Sequence, residues 1–391
     1  MTNPQMRGPN SSAYLPTPHL LYNRPQILEA ANILRRNAGL AKILYSTKAC
    51  GLMKLIDDLG CVVDGFSVSS PHELSIASLC SSAPRYAHLT SPGLVPEWLA
   101  SPVIPSHISF NSLGQFERCR AAADDCTSLG IRVNPGVSET RDDRYNSCRR
   151  FSKLGVGMSQ FVNRFADDLG PIRGVHIHNS CLSESWQPLM TTVSVIMERL
   201  KFLLPRLEWI NLGGGYLWND TTDFRPLQRC VELLTLRFGL DVFIEPGAGF
   251  VNRFGRLVAS VTDMFESDGK HIAVLDTTVN HLPEVFEYQF EPDISEHREG
   301  AKYEYILVGC TCLAGDVFGE YAFDEPLQIA SRVTFENVGA YTLVKAHPFN
   351  GIDLPSVYAL NDTDQLELIK EFTFDDFASR CGLTSHEYAN H

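Results

Sequence analysis

Short apolar runs alternate with longer amphipathic segments through the first 250 residues of the chain. The longer segments, such as "RPQILEAANILRRNAG" and "PLQRCVELLTLRFG", keep apolar residues three and four positions apart, which is the spacing of a helix with one buried face. The short runs are rich in β-branched and aromatic residues, and we interpret them as strands at residues 41–49, 61–69, 85–90, 107–112, 131–137, 172–179, 207–216 and 241–250. Strand and helix alternating eight times predict an α/β fold, a (β/α)8 barrel.

The pattern changes after about residue 255, where helical spacing nearly disappears. Runs at residues 256–267, 271–278, 302–309, 327–339 and 340–346 are typical of strands in a C-terminal antiparallel β domain. We therefore predict two domains, a barrel over residues 20–255 and a β domain made by residues 1–19 and 256–391. The connection at residues 138–168 is long, and we expect it to form a loop over the mouth of the barrel.

Composition and charge narrow the class of protein. The 391 residues are 44% hydrophobic and 20% charged, as in ordinary globular proteins, and a net charge of −13 argues against a nucleic-acid or membrane partner. The eleven cysteines are irregularly spaced, which favours reduced thiols and a cytoplasmic location over a disulfide scaffold. The first residues lack the apolar segment of a secretory signal, and no apolar run is long enough to cross a bilayer.

Residues suited to cofactor chemistry gather where the barrel strands end. Gly213, Gly214 and Gly215 follow the seventh strand and Gly247 follows the eighth, at the two loops where barrel enzymes hold phosphates. Glycine lets backbone N–H groups approach a phosphate closely. Lys48 ends the first run and Glu245 ends the eighth. A lysine for the aldehyde, glycines for the phosphate and an acid for the pyridine nitrogen are the groups that pyridoxal 5'-phosphate requires, so we predict this cofactor.

Two pairs of residues raise the alternative of a metal site. His176 and His178 share one face of the sixth strand, and an H-x-H pair at a strand end binds metal in some barrel hydrolases. The neighbouring strand ends offer Asn134 and glycines, so we favour an imidazole that stacks on the cofactor ring and predict no metal. Cys310 and Cys312 lack a second cysteine or histidine pair for zinc, and we interpret Cys310 as a buried structural cysteine.

Motifs along the barrel resemble those of the fold-type III pyridoxal-phosphate decarboxylases, the group of ornithine and diaminopimelate decarboxylases. These motifs are "YSTKAC", "DGFSVSSPHEL", "HIHNSC", "LGGGY" and "EPG". The resemblance implies a barrel of the alanine-racemase type, with Lys48 on the cofactor aldehyde and Glu245 at the pyridine nitrogen. It implies that His178 stacks on the cofactor ring and serves catalysis. Asp64 and Arg132 join the implied cofactor-binding set.

Segments of the second domain resemble, more narrowly, the carboxynorspermidine and carboxyspermidine decarboxylases. The series "CLAGDVFGE", "GAYTLVK" and "FNGIDLP" follows the order of that family, and the likeness extends from about residue 17 to residue 358. It implies an amino-acid or carboxy-polyamine substrate and a homodimer with active sites at its interface. Cys312 would protonate the substrate carbon in the partner's site, and Tyr341 would bind the cofactor phosphate. Substrate contacts are implied for Asp276, Asp316, Ala248 and Cys181.

Two positions depart from the pattern of that family. Ala248 and Leu182 stand where the carboxynorspermidine enzymes carry acidic residues. An acid beside a distal ammonium contributes roughly 1.5–3 kcal/mol. We therefore predict that the preferred substrate is an L- or D-amino acid whose far end is less cationic or differently shaped, with carboxynorspermidine secondary.

Two other functions stay open on the same barrel. One is an amino-acid racemase, in which an arginine rather than an acid such as Glu245 faces the pyridine nitrogen. The other is a cofactor-binding homologue without catalysis, which the presence of both Lys48 and Cys312 disfavours.

Overall fold

The structure, a computed structural model, describes residues 15–82, 85–140 and 142–383. The chain forms two compact units: residues 28–250 make one, and residues up to 27 together with those from 251 onward make the other. Among the described residues, every helix is too short or too polar to span a bilayer.

Strands and helices are numbered along the chain. The strands of the described residues are β1 (His19–Asn23), β2 (Lys42–Ser46), β3 (Gly65–Val68), β4 (Tyr86–Ser91), β5 (His107–Phe110), β6 (Ser128–Asn134), β7 (Val156–Gly157), β8 (Ile172–His176), β9 (Trp209–Asn211), β10 (Asp241–Ile244), β11 (Gly255–Ser267), β12 (Lys270–Leu275), β13 (Tyr303–Val308), β14 (Val317–Phe323), β15 (Arg332–Phe335), β16 (Ser356–Leu360) and β17 (Leu366–Lys370). The α-helices are α1 (Arg24–Asn37), α2 (Met53–Gly60), α3 (Pro71–Ser78), α4 (Leu113–Cys119), α5 (Met158–Phe165), α6 (Gln187–Arg199), α7 (Arg225–Phe238), α8 (Ala248–Val251), α9 (Pro283–Tyr288) and α10 (Phe374–Arg380).

Eight strands of the unit formed by residues 28–250 close into a parallel barrel. Their order around the barrel follows the chain, from β2 through β6 to β8, β9 and β10, and β10 pairs with β2 to complete the ring. The short β7 pairs with β6 beside this ring. Each barrel strand overlaps one of the eight predicted runs, so the prediction of a (β/α)8 barrel is confirmed.

The interior of the barrel is divided into an aromatic part and a polar part. Trp209 fills the aromatic part, because a Cβ at Gly174 would lie 2.0 Å from its Cδ2 and a Cβ at Gly130 would lie 2.4 Å from its Cη2. Asn211 follows two residues later on the same strand, so it shares the inward face and lies nearer the C-terminal end. Polar side chains therefore collect at the end of the barrel where the strands stop.

Capping residues start two of the helices a few residues after the preceding strands. Ser70 accepts a hydrogen bond from Glu73 N at 3.1 Å and caps α3, and Ser112 accepts one from Gln115 N at 3.1 Å and caps α4. At the other end, α7 stops at Gly239, whose φ of 72° is the left-handed conformation that favours glycine. These caps keep the β3–α3 and β5–α4 connections short, which leaves the strand ends open.

The other unit is built on one eight-stranded sheet, in the order β14, β13, β12, β11, β1, β16 and β17, with β15 paired to β11. Most pairs are antiparallel, but β1 runs parallel to β16 and β12 runs parallel to β13. The predicted antiparallel β domain is therefore confirmed as a mostly antiparallel sheet, with two parallel pairs that the sequence did not indicate. The long connection between β12 and β13 contains α9, which gives the chain room to return in the same direction.

Two segments differ from their predicted conformations. Residues 340–346 were predicted as a strand, but Tyr341 has a φ of 60° and Ala346 N donates to Thr342 O at 2.9 Å, so the backbone turns there. The predicted loop at residues 138–168 contains β7 and α5 near its end. The short apolar run at residues 340–346 could not by itself separate a strand from a turn.

Candidate active site

A cavity of about 550 Å³ opens at the C-terminal ends of the barrel strands. Lys48 follows β2, Arg132 lies in β6, and Glu245 follows β10, and all of them line the cavity. His176, the last residue of β8, and His178 line it as well. The fold therefore brings together, from four different strands, residues that were predicted to act on one cofactor.

Lys48 lies in a single 3-10 turn, Thr47–Ala49, directly after β2. The turn is held from outside, because Thr47 Oγ1 donates to Glu73 Oε2 at 3.0 Å. Burial lowers the pKa of Lys48; Arg132 lowers it further, and Glu245 opposes this. A lowered pKa increases the fraction of the amine that is neutral, which is the form that attacks a carbonyl group.

Glu245 is 4% exposed and both of its carboxylate oxygens have partners. Oε1 accepts from Asn211 Nδ2 at 2.8 Å, and Oε2 lies 3.2 Å from His176 Nε2. Burial alone would raise the pKa of this carboxyl, but His176, with His88 and His178, lowers it well below its usual value. Glu245 is therefore an ionised acceptor inside the barrel.

The two histidines of the H-x-H pair are neutral. Burial lowers the pKa of His176, and burial with Lys48 and Arg132 lowers the pKa of His178 well below its usual value. Gly214 N donates to His178 Nδ1 at 3.2 Å, so the proton of the neutral His178 ring is on Nε2. This bond fixes the orientation of the imidazole at the cavity wall.

The turn of three glycines has no room for side chains. Gly213 and Gly215 have φ values of 69° and 92°, which favour glycine, and a Cβ at Gly214 would lie 2.0 Å from Glu245 O. Gly213 N donates to Asn211 Oδ1 at 2.9 Å, and Gly214 N donates to His178. Two of the three N–H groups of this turn are therefore used within the protein. A Cβ at Gly247, in the neighbouring turn, would lie 3.0 Å from Ala49 Cβ.

His176, His178 and Glu245 also have a geometry that could hold a metal ion. One ligand atom of each lies within 4.8 Å of the others. The same atoms already serve the Glu245–His176 contact at 3.2 Å, and the Gly214 bond occupies Nδ1 of His178. Within the part of the chain that the structure describes, both ring nitrogens of His176 are buried without a hydrogen-bond partner of good geometry, so the metal alternative depends on a chemical test.

The segment at residues 142–154 forms one wall of the cavity, as its predicted place over the barrel mouth requires. Ser147 Oγ donates to His178 O at 2.7 Å, and Asn111 Nδ2 donates to Lys153 O at 2.8 Å, so the segment is fastened to two strand ends. Its cationic side chains on the cavity are Arg144, Arg149 and Lys153. A wall with several cations favours anionic groups in the cavity.

Asp64 is the predicted cofactor residue that the structure places away from the cavity. It precedes β3, and its Oδ2 accepts from Ile43 N at 2.7 Å and from Arg35 Nη2 at 2.7 Å, near the start of β2. Ser67, on the same predicted run, lines the cavity instead. The strand begins at Gly65, so Asp64 lies at its N-terminal end, and the predicted role of Asp64 in cofactor binding stays a prediction.

In the other unit, the motif segments around Cys312 are joined by hydrogen bonds. Cys312 is exposed, and its N–H donates to Asn350 Oδ1 at 3.1 Å, which connects the "CLAGD" and "FNG" segments. Asp316 is 3% exposed, and its carboxylate accepts from Val279 N at 2.8 Å and from Thr311 N at 3.1 Å. The carboxylate predicted to contact substrate therefore holds its own loop in place.

Asp276 and Tyr341 have local roles in this unit too. Asp276 accepts from Ser260 N at 2.8 Å and from Thr17 Oγ1 at 2.6 Å, so its carboxylate fastens neighbouring segments. Tyr341 is half-buried and has a φ of 60°, in the turn described above. The predicted contacts of both residues with substrate or cofactor stay predictions.

The remaining substrate candidates lie in the barrel unit. Cys181 lines the cavity, whereas Leu182 is 42% exposed with a φ of 49°. Ala248 is 8% exposed and begins α8, immediately after the turn at Gly247. A larger or charged side chain at Ala248 would therefore have to find its partner in a nearly closed space.

A chain of buried polar residues under the cavity was missed in the sequence. Asn211 lies between Glu245 and His88, with its Nδ2 2.8 Å from His88 Nδ1, and His88 Nε2 lies 2.7 Å from Ser109 Oγ. His88, Ser109 and Asn211 are all 0% exposed. The sequence does show polar residues inside apolar strands, in "RYAHLT", "HISFNS" and "WINLGGGY". Whether these side chains point into the barrel depends on the register of the strands, which the sequence alone does not give.

Comparison with known proteins identifies the family. The model of the family described as "Pyridoxal-dependent decarboxylase, C-terminal sheet domain" matches residues 44–339, more than half of the chain. A carboxynorspermidine/carboxyspermidine decarboxylase from Campylobacter jejuni is 32% identical over 356 residues, which cover 87% of this chain and 91% of that protein. A carboxyaminopropylagmatine decarboxylase from Synechocystis is 31% identical over 390 residues, which cover 98% of both chains.

A solved structure with the same fold supports these sequence matches. It is carboxynorspermidine decarboxylase from Campylobacter jejuni in complex with norspermidine, with a TM-score of 0.83 and 29% sequence identity. The superposition covers 94% of this chain and 100% of that one. The chain therefore belongs to the fold-type III pyridoxal-dependent decarboxylases, a family of carboxy-lyases.

Proposed function

We propose that this enzyme removes the α-carboxylate from the amino-acid end of a carboxy-polyamine, with pyridoxal 5'-phosphate as its cofactor. The observation that carries the proposal is the convergence of Lys48, His178 and Glu245 on one cavity at the barrel mouth. Relatives that act on carboxynorspermidine, carboxyspermidine and carboxyaminopropylagmatine, as their names state, support this class of substrate.

The residues of the cavity fit the cofactor. The neutral amine of Lys48 suits its aldehyde, and the ionised carboxylate of Glu245 suits a protonated pyridine nitrogen. The phosphate is proposed to contact Gly215 and the turn at Gly247, because Gly213 and Gly214 donate their N–H groups within the protein. Arg132, at the cavity wall, adds a positive charge near these anions.

Each residue then has a defined task in the reaction. When bound, pyridoxal phosphate supplies an electron sink for the electron pair that a departing carboxylate leaves behind. Glu245 keeps the proton on the ring nitrogen, because its own pKa is too low for it to take that proton. His178, fixed by Gly214, supports the ring with a neutral imidazole. The amine of Lys48 would hold the cofactor through its aldehyde and would be the group exchanged for the amine of the substrate.

The proton for the substrate carbon is proposed to come from Cys312 of a second copy of the chain. Cys312 is exposed, and Asn350 holds the backbone of its loop through the Cys312 N–H. A thiol with these properties can serve a site outside its own chain. This step makes a homodimer the proposed active form.

Release of CO2 from carboxy-polyamines tests the function. We expect activity with carboxynorspermidine, carboxyspermidine or carboxyaminopropylagmatine, and much less with diaminopimelate. Lys48→Ala should abolish turnover, whereas Lys42→Ala should not, because Lys42 lies at the other end of β2 and pairs with Asp241. Absence of CO2 from all the carboxy-polyamines with cofactor-loaded protein would contradict the proposal. Activity that depends on a bound metal ion and not on the cofactor would favour the metal alternative.

A further inference from the structure

The buried polar chain beneath the cavity has an internal order that its hydrogen bonds determine. Gly213 N, which can only donate, lies 2.9 Å from Asn211 Oδ1. The side-chain amide of Asn211 therefore directs its Nδ2 donor toward Glu245 Oε1 and His88 Nδ1, each at 2.8 Å. The reverse orientation would place the amide oxygen against a carboxylate and Nδ2 against an N–H group.

This orientation decides the protonation of His88. Its Nδ1 receives a hydrogen bond from Asn211, so Nδ1 carries no proton. The proton of the neutral ring is then on Nε2, which donates to Ser109 Oγ at 2.7 Å. Each hydrogen bond between Gly213 and Ser109 thus has one donor and one acceptor. This pattern requires a neutral His88, because a protonated ring would place an N–H group against the Asn211 amide.

Asn211 joins the two parts of the site that were predicted to hold opposite ends of the cofactor. It bonds Gly213 of the glycine turn through Oδ1 and Glu245 through Nδ2. A backbone hydrogen bond also connects these two parts of the site, because Glu245 N donates to Gly213 O at 2.7 Å. Since Asn211 is 0% exposed, water cannot replace either of its side-chain bonds.

We propose that Asn211 is a positioning residue that holds the Glu245 carboxylate and the glycine turn in one fixed arrangement, with His88 below it as a neutral hydrogen-bond acceptor. The proposal rests on the proposed function for the identity of the cofactor. Glu245 has other ionisable neighbours that variants of Asn211 leave in place. These neighbours are His176, His178, His88, Lys48 and Arg132.

The tautomer of His88 is the first test and needs no cofactor. In cofactor-free protein with 15N-labelled histidine, assigned by comparison with His88→Gln, we expect the proton on Nε2 and a bare Nδ1 at neutral pH. In Asn211→Asp the partner of Nδ1 becomes an acceptor, so the proton should move to Nδ1. A protonated Nδ1 in the wild type would overturn the proposal, whether or not the variant folds.

Cofactor affinity is the second test, and Asn37 provides a control away from the cavity. Asn37 Nδ2 donates to Ile33 O at 2.8 Å at the end of α1. We expect Asn211→Asp and Asn211→Ala to bind pyridoxal phosphate about tenfold or more weakly, since each loses a hydrogen bond to a charged group. Asn211→Asp should also shift the pH dependence of the cofactor absorbance, and Asn37→Asp should not. Equal affinities and equal pH profiles in the wild type, Asn211→Asp and Asn211→Ala would refute a positioning role.

A conservative variant separates a positioning role for His88 from proton transfer. Glutamine at this place can accept from Asn211 and donate to Ser109 without titrating. His88→Gln should therefore keep cofactor affinity within about threefold of the wild type, whereas His88→Leu, which leaves Asn211 Nδ2 without this acceptor, should not. Loss of cofactor in both variants would contradict the neutral-acceptor role. Failure of CO2 release alone would count against the proposed function and leave these binding and tautomer results intact.

Discussion

Lys48 and Glu245 line the same cavity, and their surroundings move both pKa values downward. For the lysine, a lowered pKa means a larger neutral fraction of the amine, and for the glutamate it means a retained negative charge. The surroundings of the two residues therefore favour a nucleophilic amine and an anion in one cavity. A pair of ionisable groups whose environments set different charges is typical of a catalytic site.

A prediction at the residue scale is that Ala248 determines the substrate preference. Ala248→Glu should raise kcat/KM for carboxynorspermidine about tenfold relative to an amino acid of similar length with an uncharged far end, because a carboxylate at this place can bond a distal ammonium. Ala248→Gln, of equal size and without charge, is the control for crowding at this nearly buried position. If the wild type already prefers carboxynorspermidine strongly over the other amino acids, the predicted departure from the family substrate is wrong.

At the scale of elements, the apolar pattern predicted the strands well and their partners less well. Most of the eight barrel runs were recognisable because an α-helix with its own spacing follows them, whereas β4 is followed by a 3-10 turn at Pro96–Ala100. The parallel pairing of β1 with β16 joins residues more than three hundred positions apart, which no local pattern indicates. Asp64 lies before β3 and bonds near the start of β2, a placement that the predicted run at residues 61–69 did not indicate.

The prediction at the scale of elements concerns the segment at residues 142–154, which forms one wall of the cavity. Ser147→Ala removes the bond to His178 O and should weaken the attachment of the segment by about 1 kcal/mol. We expect faster hydrogen exchange in the segment and a KM several-fold higher, with a smaller change in kcat. Ser194→Ala, which removes only a bond to Met190 O within α6, is the control. Unchanged exchange and KM in Ser147→Ala would mean that the segment is held by its other contacts.

At the scale of the whole molecule, the proposed reaction needs residues from two copies of the chain. Lys48 belongs to the barrel unit and Cys312 to the other, and the resemblance to the decarboxylases assigns Cys312 to the site of the partner. Mixing inactive Lys48→Ala with inactive Cys312→Ala subunits should restore up to about a quarter of the activity, through the one complete site of each mixed dimer. A double Lys48→Ala, Cys312→Ala chain mixed with wild type forms no complete site in the mixed dimer. Absence of recovery after verified subunit exchange would count against a shared site.

The most direct measurement is the identification of the residue that carries the cofactor. Protein loaded with pyridoxal phosphate, reduced with borohydride and digested, should yield one modified peptide, with the pyridoxyl group on Lys48. Lys48→Ala should yield none, and Lys42→Ala should behave as the wild type. The yield at Lys48 should rise with pH and level off below the pH at which an ordinary lysine loses its proton, because burial lowers the pKa of Lys48. A reducible adduct that persists in Lys48→Ala, or that lies on another lysine in the wild type, would contradict the proposed active site.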